Sequence, residues 1–489
     1  MTAILNAGAP SARTISWKLI NWDTVNIHVR RLQLRIAKAI KQGRYCKAKA
    51  LQWLLTHSFY AKLLAIKCVT QNKGKNTPGV DRIIWKTDKQ KIQAAYALKR
   101  RGYCSLPLRR IYIPKKNGKL RPLGIPAMID RSQQALHLLG LEPIVEILGD
   151  KNSYGFRPKR SIHDAIAQCF IVLSRKTSAQ WILEGDIKSC FDKISHAWME
   201  ENTMMDKSIL RQGLKAGYME ENLFHRTEDG TPQGGIASPT LANIALDGLE
   251  TAIKAISKRG DKINFVRYAD DFICTASSKE ILEQKVQPII VEFLRERGLE
   301  LSIEKTKITH IDEGFDFLGF NLRTYKGKIL IKPAKKGIKA FLEGIRETIH
   351  SMRAVTTEEL ILTLNPKIQG WANHRRCVAK KTFSYIDTNI FKAIWKWAKD
   401  RHSNKNASWV RNKYFTRIGL RNWCFFSGKT VNAKSNNRRT LAFASNTSIK
   451  KYVKVIGDAT LHDPDYQEYF RERANRQRIE RKHSRATHQ

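Results

Sequence analysis

The 489-residue chain is 42% hydrophobic and carries 88 Lys and Arg against 44 Asp and Glu, a formal charge of +44. That apolar content suffices for about three domains and excludes wholesale disorder; so large a positive excess goes beyond solubility and requires a polyanionic partner. The basic residues are spread along the whole chain and mixed with aromatics, including 11 Trp, a distribution that favours nucleic acid over a membrane surface. No apolar run approaches the roughly 18 residues of a membrane span, and the N-terminal MTAILNAGAPSARTISW lacks a basic region followed by an apolar signal core, so a cytosolic protein with no membrane attachment is expected. None of the eight cysteines forms a C-x-x-C pair, which argues against a zinc ribbon or a disulfide framework and predicts reduced, mostly structural thiols.

From Val29 the apolar residues Val29, Leu32, Ile36, Ala39 and Ile40 recur at helical spacing among Arg and Lys, predicting a basic amphipathic helix. A second helix, ALQWLLTHSFYAKLLAIKCV, is expected to break at QNKGKNTPGVD, where an N-terminal extension ends. RRIYIPKKNGKLRPLGIP reads as a hairpin turning through Asn117 and Gly118, with Pro122 marking an edge strand. Lys115, Lys116, Lys119 and Arg121 on it either protect a sheet edge or meet a phosphate chain.

WILEGDIKSCFDKIS predicts a buried strand ending in Asp186 and turning into a helix. TPQGGIASPTLANIALDGLE reads as a glycine turn, with Gly234 and Gly235 permitting close approach of a ligand, opening a helix that runs through Leu241, Ile244, Ala245, Gly248 and Leu249. FVRYADDFICTA sets Asp270 and Asp271 between strand-forming runs, which suits a polar hairpin tip or a charged site. After an FLGF strand, three helices are expected, around Ile338–Ile349, TTEELILTLNPKIQGWANH and Phe383–Trp397. Beyond about Ser403 the composition turns polar and basic, predicting a linker or RNA-facing loop over SGKTVNAKSNNRRT and a charged helix or tail over EYFRERANRQRIERKHSRATHQ.

Asp186 and the Asp270–Asp271 pair lie on strands apolar enough to be neighbours in one buried sheet. Three carboxylates brought together are tolerable around divalent cations, and Mg²⁺ suits oxygen ligands. Two ions about 4 Å apart would activate an attacking 3′-hydroxyl and neutralise a leaving pyrophosphate, the two-metal route to nucleotidyl transfer.

Y-A-D-D at Tyr268–Asp271, D-I-K-S-C-F at Asp186–Phe191, T-P-Q-G-G-x-x-S-P from Thr231, and the later EKTKI and FDFLGF occur in the order found in reverse transcriptases. NKGKNTPGVD, IPKKNGKLRPLGIP, YGFRPKRSIHDAI and NPKIQGWANH narrow the resemblance to group II intron-encoded reverse transcriptases, also called maturases, over nearly the whole chain. The resemblance implies an α+β right-hand polymerase of fingers and palm, an α-helical thumb and a basic C-terminal DNA-binding region. Its implied divisions are an RNA-binding N-terminal extension (1–74), fingers and palm (75–332), thumb (333–402) and DNA-binding region with tail (403–489). Asp186, Asp270 and Asp271 match the catalytic, metal-holding carboxylates, and the cofactor implied is a pair of Mg²⁺ ions. Lys115 and Arg121 match residues that hold the triphosphate, Gln233 a residue near template and nucleotide, and Phe191 the bulky gate that collides with a ribose 2′-hydroxyl. Lys305 matches a motif lysine near the active site.

The function so implied is RNA-directed DNA polymerase and maturase, with group II intron RNA, target DNA and deoxynucleoside triphosphates as partners, in a bacterial, cytoplasmic, nucleoid-associated ribonucleoprotein. Unlike many relatives, the sequence shows no paired cysteines or histidine set of a C-terminal H-N-H endonuclease, so second-strand cleavage is not expected. Two other readings stand beside this one: an RNA-binding splicing cofactor that no longer polymerises, and a reverse transcriptase recruited to defence.

Overall fold

The computed structural model describes residues 16–114, 118, 120–221, 223–231, 234–377, 380–428 and 439–486. The first amphipathic helix, α1 (Trp22–Lys41), starts about two turns earlier than its repeat suggested, because the Asn21 side chain accepts from the Asp23 and Thr24 amides and caps it. The following apolar run is two helices rather than one, α2 (Tyr45–His57) and α3 (Phe59–Gln71), since Ser58 between them is extended. After α4 (Asp88–Ala97), β1 (Leu108–Pro114) and β2 (Leu120–Ile125) form a hairpin, and α5 (Met128–Leu148) follows. Residues of α1 to α5, among them Ile36, Leu55, Ile66, Ala95 and Leu136, share one core.

The expected turn through Asn117 and Gly118 lies largely outside the described residues, and only the strand register bears on it. Pro114 pairs with Leu120 and Ile113 with Arg121, whereas a two-residue turn at Asn117 and Gly118 would pair 114 with 121. The register therefore leaves an odd number of residues between the strands, which a two-residue loop does not allow. β2, with Pro122, is an edge strand as expected.

The next elements are α6 (Ile162–Leu173), β3 (Trp181–Lys188), α7 (Cys190–Lys193), α8 (His196–Asn202), α9 (Lys207–Leu214), β4 (Tyr218–Glu220) and β5 (Leu223–His225). β4 and β5 extend the hairpin into a sheet of order β2-β1-β4-β5. The helix expected after the glycine turn is interrupted. It forms α10 (Ser238–Leu246) and α11 (Leu249–Ala255), parted by Gly248 at φ +96°, a left-handed conformation that ends a helix.

β6 (Asn264–Tyr268) and β7 (Asp271–Ala276) make the second hairpin. A helical stretch of α12 (Lys279–Ile281), one π turn over Leu282–Val286 and α13 (Gln287–Arg295) leads to β8 (Glu300–Leu301) and β9 (Lys307–His310). The central sheet runs β6-β7-β3, with β8 and β9 both pairing the far edge of β3. Strand alternation splits its side chains between two cores. Leu183, Ile187, Phe265, Phe272 and Cys274 pack with α10, α11 and α13; Ile182, Val266 and Ile273 pack with α6 and the C-terminal half.

FLGF is a turn and not a strand. β10 (Phe315–Phe317) and β11 (Phe320–Tyr325) are joined through Leu318 and Gly319 at φ +51° and +81°, the two positive φ angles that a tight hairpin turn needs. β12 (Lys328–Pro333) completes this sheet. The three expected helices follow as α14 (Lys335–Ser351), α15 (Thr357–His374) and α16 (Lys381–Asp400).

Beyond Ser403 the chain is more structured than its composition suggested. In α17 (Ala407–Tyr414), β13 (Phe415–Ile418), β14 (Arg421–Ser427) and β15 (Arg439–Thr440), Tyr414 and Phe425 pack against Trp397 of α16, and Phe415 against Trp395 of the same helix. The expected loop over SGKTVNAKSNNRRT lies mostly outside the described residues. A charged helix, α18 (Gln467–Ala486), ends the fold, and its Phe470 is buried. All eight cysteines are free thiols, and four of them (Cys169, Cys190, Cys274 and Cys424) are buried.

Candidate active site

The β6–β7 hairpin and β3 bring three of the expected acids together. In the antiparallel register of β3 with β7, Asp186 is the direct partner of Asp271, so their Cβ atoms lie within about 5.5 Å on one face of the sheet. Asp186 does not end its strand, since β3 continues to Lys188. Tyr268 pairs with Asp271, leaving Ala269 and Asp270 as a two-residue turn at the rim. Ala269 has φ +59°, a conformation that costs a non-glycine residue on the order of 1 kcal/mol and persists only where its surroundings enforce it.

Those surroundings are specific. Gly155 lies against the turn so closely that a Cβ there would stand 2.2 Å from the Ala269 nitrogen. Arg267, two residues before the turn and fully buried, donates to the Ala269 carbonyl at 3.4 Å, to Asn243 Oδ1 at 3.1 Å and to Asp247 at 2.5 Å. Asn243 in turn donates to the Gly155 carbonyl at 2.9 Å. The break between α10 and α11 turns Asp247 toward Arg267, and Asp150 accepts from the amides of Gly248 and Glu250 beyond it. Burial pushes the Asp247 carboxyl up to about 6, opposed by Arg267.

Lys305, in the turn before β9, donates to Asp186 Oδ2 at 2.6 Å, and this bond holds its ammonium above the usual lysine range. The Ser302 amide donates to the Asp186 carbonyl at 2.8 Å, fixing the segment that carries Lys305 against β3. Burial raises Asp270, with Asp186 adding to the rise and Lys305 and Arg121 opposing it. Asp271 is pushed up to about 6 by burial and by its two neighbouring carboxylates. Adjacent acids that resist full ionisation are what a divalent cation would relieve. The donor set is all oxygen, which fits such an ion. Among the described residues no three potential ligands already converge, and Asp186 is held by the Lys305 ammonium.

Phe191 sits in α7, just past Ser189 in the left-handed region, half-buried and edge-on to Phe156 with ring centroids 6.1 Å apart. Its carbonyl accepts from the Thr231 amide at 2.6 Å, so Thr231 leans on the same helix. The glycine expected to admit a ligand has another neighbour: a Cβ on Gly234 would lie 2.5 Å from the Gly124 carbonyl of β2. Close packing of the protein on itself therefore explains that glycine. Arg121, paired with Ile113 on the hairpin, lies within electrostatic reach of Asp270. Lys115 and Gln233, expected at the nucleotide, lie outside the described residues, as do Lys116 and Lys119. Sequence reasoning missed Arg267, Asn243, Asp247 and Phe156. A charge between Val266 and Tyr268, in a strand whose other residues from Phe265 onward are apolar or aromatic, was the available signal for the first.

Comparison with known proteins agrees with this geometry. Residues 113–322 match the family model for reverse transcriptase (RNA-dependent DNA polymerase), residues 17–98 that for the N-terminal domain of reverse transcriptase, and residues 338–415 that for the group II intron maturase-specific domain. Protein YkfC of Escherichia coli is 34% identical over 53% of this chain and 79% of its own length. The group II intron-encoded protein LtrA of Lactococcus lactis is 31% identical over 68% of this chain, which spans 63% of that protein. Telomerase of Candida albicans, solved with a fragment of telomeric RNA, is a distant structural likeness with a TM-score of 0.36 and 12% identity over 63% of this chain and 64% of that one. No helix among the described residues is long and apolar enough to cross a membrane. The chain belongs to the group II intron-encoded reverse transcriptases, the maturases.

Proposed function

We propose that this protein is an RNA-directed DNA polymerase and maturase that binds its group II intron RNA, assists splicing, and copies the inserted intron into cDNA by target-primed reverse transcription. The observation that carries the reading is Asp186 opposite Asp271 on neighbouring strands, with Asp270 in the turn and Lys305 on Asp186. Asp186 and Asp270, assisted by Asp271, would hold two Mg²⁺ ions, which when bound lower the pKa of the primer 3′-hydroxyl and stabilise the leaving pyrophosphate. Lys305, bonded to Asp186 at 2.6 Å, would bring its ammonium charge to the departing phosphates. Arg121 and Lys115 would meet the incoming triphosphate, Gln233 the template and nucleotide, and Phe191 the sugar face, where bulk disfavours a 2′-hydroxyl. Residues 1–74 serve as the RNA-binding extension, 75–332 as fingers and palm, 333–402 as thumb, and 403–489 as a DNA-binding region.

The test separates polymerisation from RNA binding. With Asp270 and Asp271 both changed to Ala, Mg²⁺-dependent extension of a primer on an RNA template falls at least about a thousandfold, while intron RNA binding and assisted splicing persist. Absence of primer extension by the wild-type protein would leave the splicing cofactor as the better reading.

A further inference from the structure

Away from the acids, α2, α5, α9 and residues 98–101 enclose a cleft of about 780 Å³. Its wall carries His137, 7% exposed. Beside it are Gln133 and Thr203, each 2% exposed, whose side-chain carbonyl and hydroxyl oxygens have no partner. The Gln133 amide donates to the Lys99 carbonyl at 3.2 Å, which leaves two oxygens on this wall, Gln133 Oε1 and Thr203 Oγ1, buried without a described partner, a cost that a ligand would offset. At the mouth, Trp53 is 59% exposed and stacks on His57 with ring centroids 4.1 Å apart. The rim carries Lys49, Lys62, Lys99, Arg101 and Lys207. The acids there are Glu201 and Asp206, and Asp206 is already bonded to Arg100.

We propose that this cleft binds one nucleotide, its base entering beside Trp53 to meet His137 and its phosphate held by the Lys62–Lys99–Arg101 rim. The volume suits a ligand of that size. A neutral imidazole offers one donor and one acceptor, as a base edge requires. An exposed aromatic with nearby cations is the combination by which proteins hold unpaired bases. Burial and the neighbouring Lys99 charge lower Lys62 from its ordinary value, an opposition of cations that a phosphate relieves. His137 is pushed down to about 4, chiefly by burial, and so is neutral at pH 7. The proposal draws on the RNA-binding reading only for its choice of probe, and the cleft has no part in the polymerase site.

The test uses the full-length protein and a short single-stranded RNA containing 4-thiouridine, cross-linked by light, with the attached peptides identified by mass spectrometry. Cross-links are expected in the segments holding Trp53 and His137. Trp53→Ala and Lys99→Glu, both on exposed side chains, should each lower their yield at least fivefold, with primer extension on a preformed RNA–DNA duplex unchanged. Competition by millimolar AMP would assign the site to free nucleotides; persistence of the cross-links under AMP would assign it to a nucleotide within a strand. Cross-links confined to other segments, or a yield unmoved by both substitutions, overturn the proposal. Loss of primer extension in Asp270→Ala, Asp271→Ala protein with these cross-links intact separates this site from the catalytic reading.

Discussion

At the scale of single residues, the site depends on groups that would touch neither metal nor nucleotide. Arg267, fully buried, holds the Ala269 carbonyl and pairs with Asp247, which is only 14% exposed. Removing one partner of such a pair leaves the other charge buried, at a cost of about 3–5 kcal/mol. Arg267→Gln should therefore lower unfolding stability by that order and slow nucleotide addition even where the protein remains folded. Denaturant titration together with single-turnover extension would reveal it, and a variant with wild-type rate would show that the turn holds itself. His137 makes a pH-dependent contribution of known sign. Burial depresses its folded pKa to about 4, opposed by Asp206 and reinforced by His57 and Arg100. The unfolded chain takes up the proton near pH 6.5, so this contribution is complete above that value. It is lost as pH falls from 6.5 to 4, to the extent of roughly 3 kcal/mol. Comparing denaturation curves at pH 7 and pH 4.5, His137→Gln should lose less stability on acidification than the wild type. Equal losses would mean that other groups govern this range.

At the scale of elements, the C-terminal segment behaves as a strap. Asp164, fully buried in the first turn of α6, accepts from Ser161, from the Tyr452 hydroxyl at 2.9 Å, from the Val455 amide at 2.7 Å and from Arg473 of α18 at 3.3 Å. Farther along, Arg160 donates to the Gly457 carbonyl at 2.6 Å, and Lys151 pairs with Asp458 at 2.8 Å. Asp164→Ala deprives several donors at once and leaves the largely buried Arg473 without its carboxylate, a loss of about 3 kcal/mol or more. That raises the population of the locally opened strap roughly a hundredfold. Limited proteolysis should show cleavage between 446 and 466 accelerating in the variant, while the central sheet stays protected. Unchanged cleavage would mean that the aromatic packing of β14 on the thumb suffices to hold the C-terminal half.

At the scale of the whole molecule, charge and connectivity act together. The strap reaches the N-terminal helix, where Lys41 meets Asp463 at 3.0 Å and Asp465 at 2.7 Å, so the first and last thirds of the chain are joined. Few carboxylates are spent in this way. A formal charge of +44 remains spread over surfaces that RNA can contact at several points. With about six to ten phosphates neutralised, RNA affinity should fall by about a thousandfold or more between roughly 50 and 200 mM monovalent salt. Filter binding across that range checks it; a change below about tenfold would place most of the affinity in non-ionic contacts.

Much of this was legible in the sequence because its signals are local. Helical spacing gave α1 and the thumb helices, the apolar runs around Asp186 and Tyr268–Asp271 gave the central strands, and the ordered motifs gave the family. Local pattern failed where a long-range contact decided. Gly248 splits a helix because Asp247 is needed by Arg267, twenty residues on. The FLGF residues turn because Leu318 and Gly319 adopt positive φ between two paired strands. The residues after Ser403 order because their aromatics find Trp397 of the thumb. Composition and motif order by themselves pointed to a basic reverse transcriptase and singled out the three acids that the central sheet brings together. Only the tertiary structure decided their register, the buried arginine beneath them, and the cleft at His137, because each depends on residues distant in sequence meeting away from water.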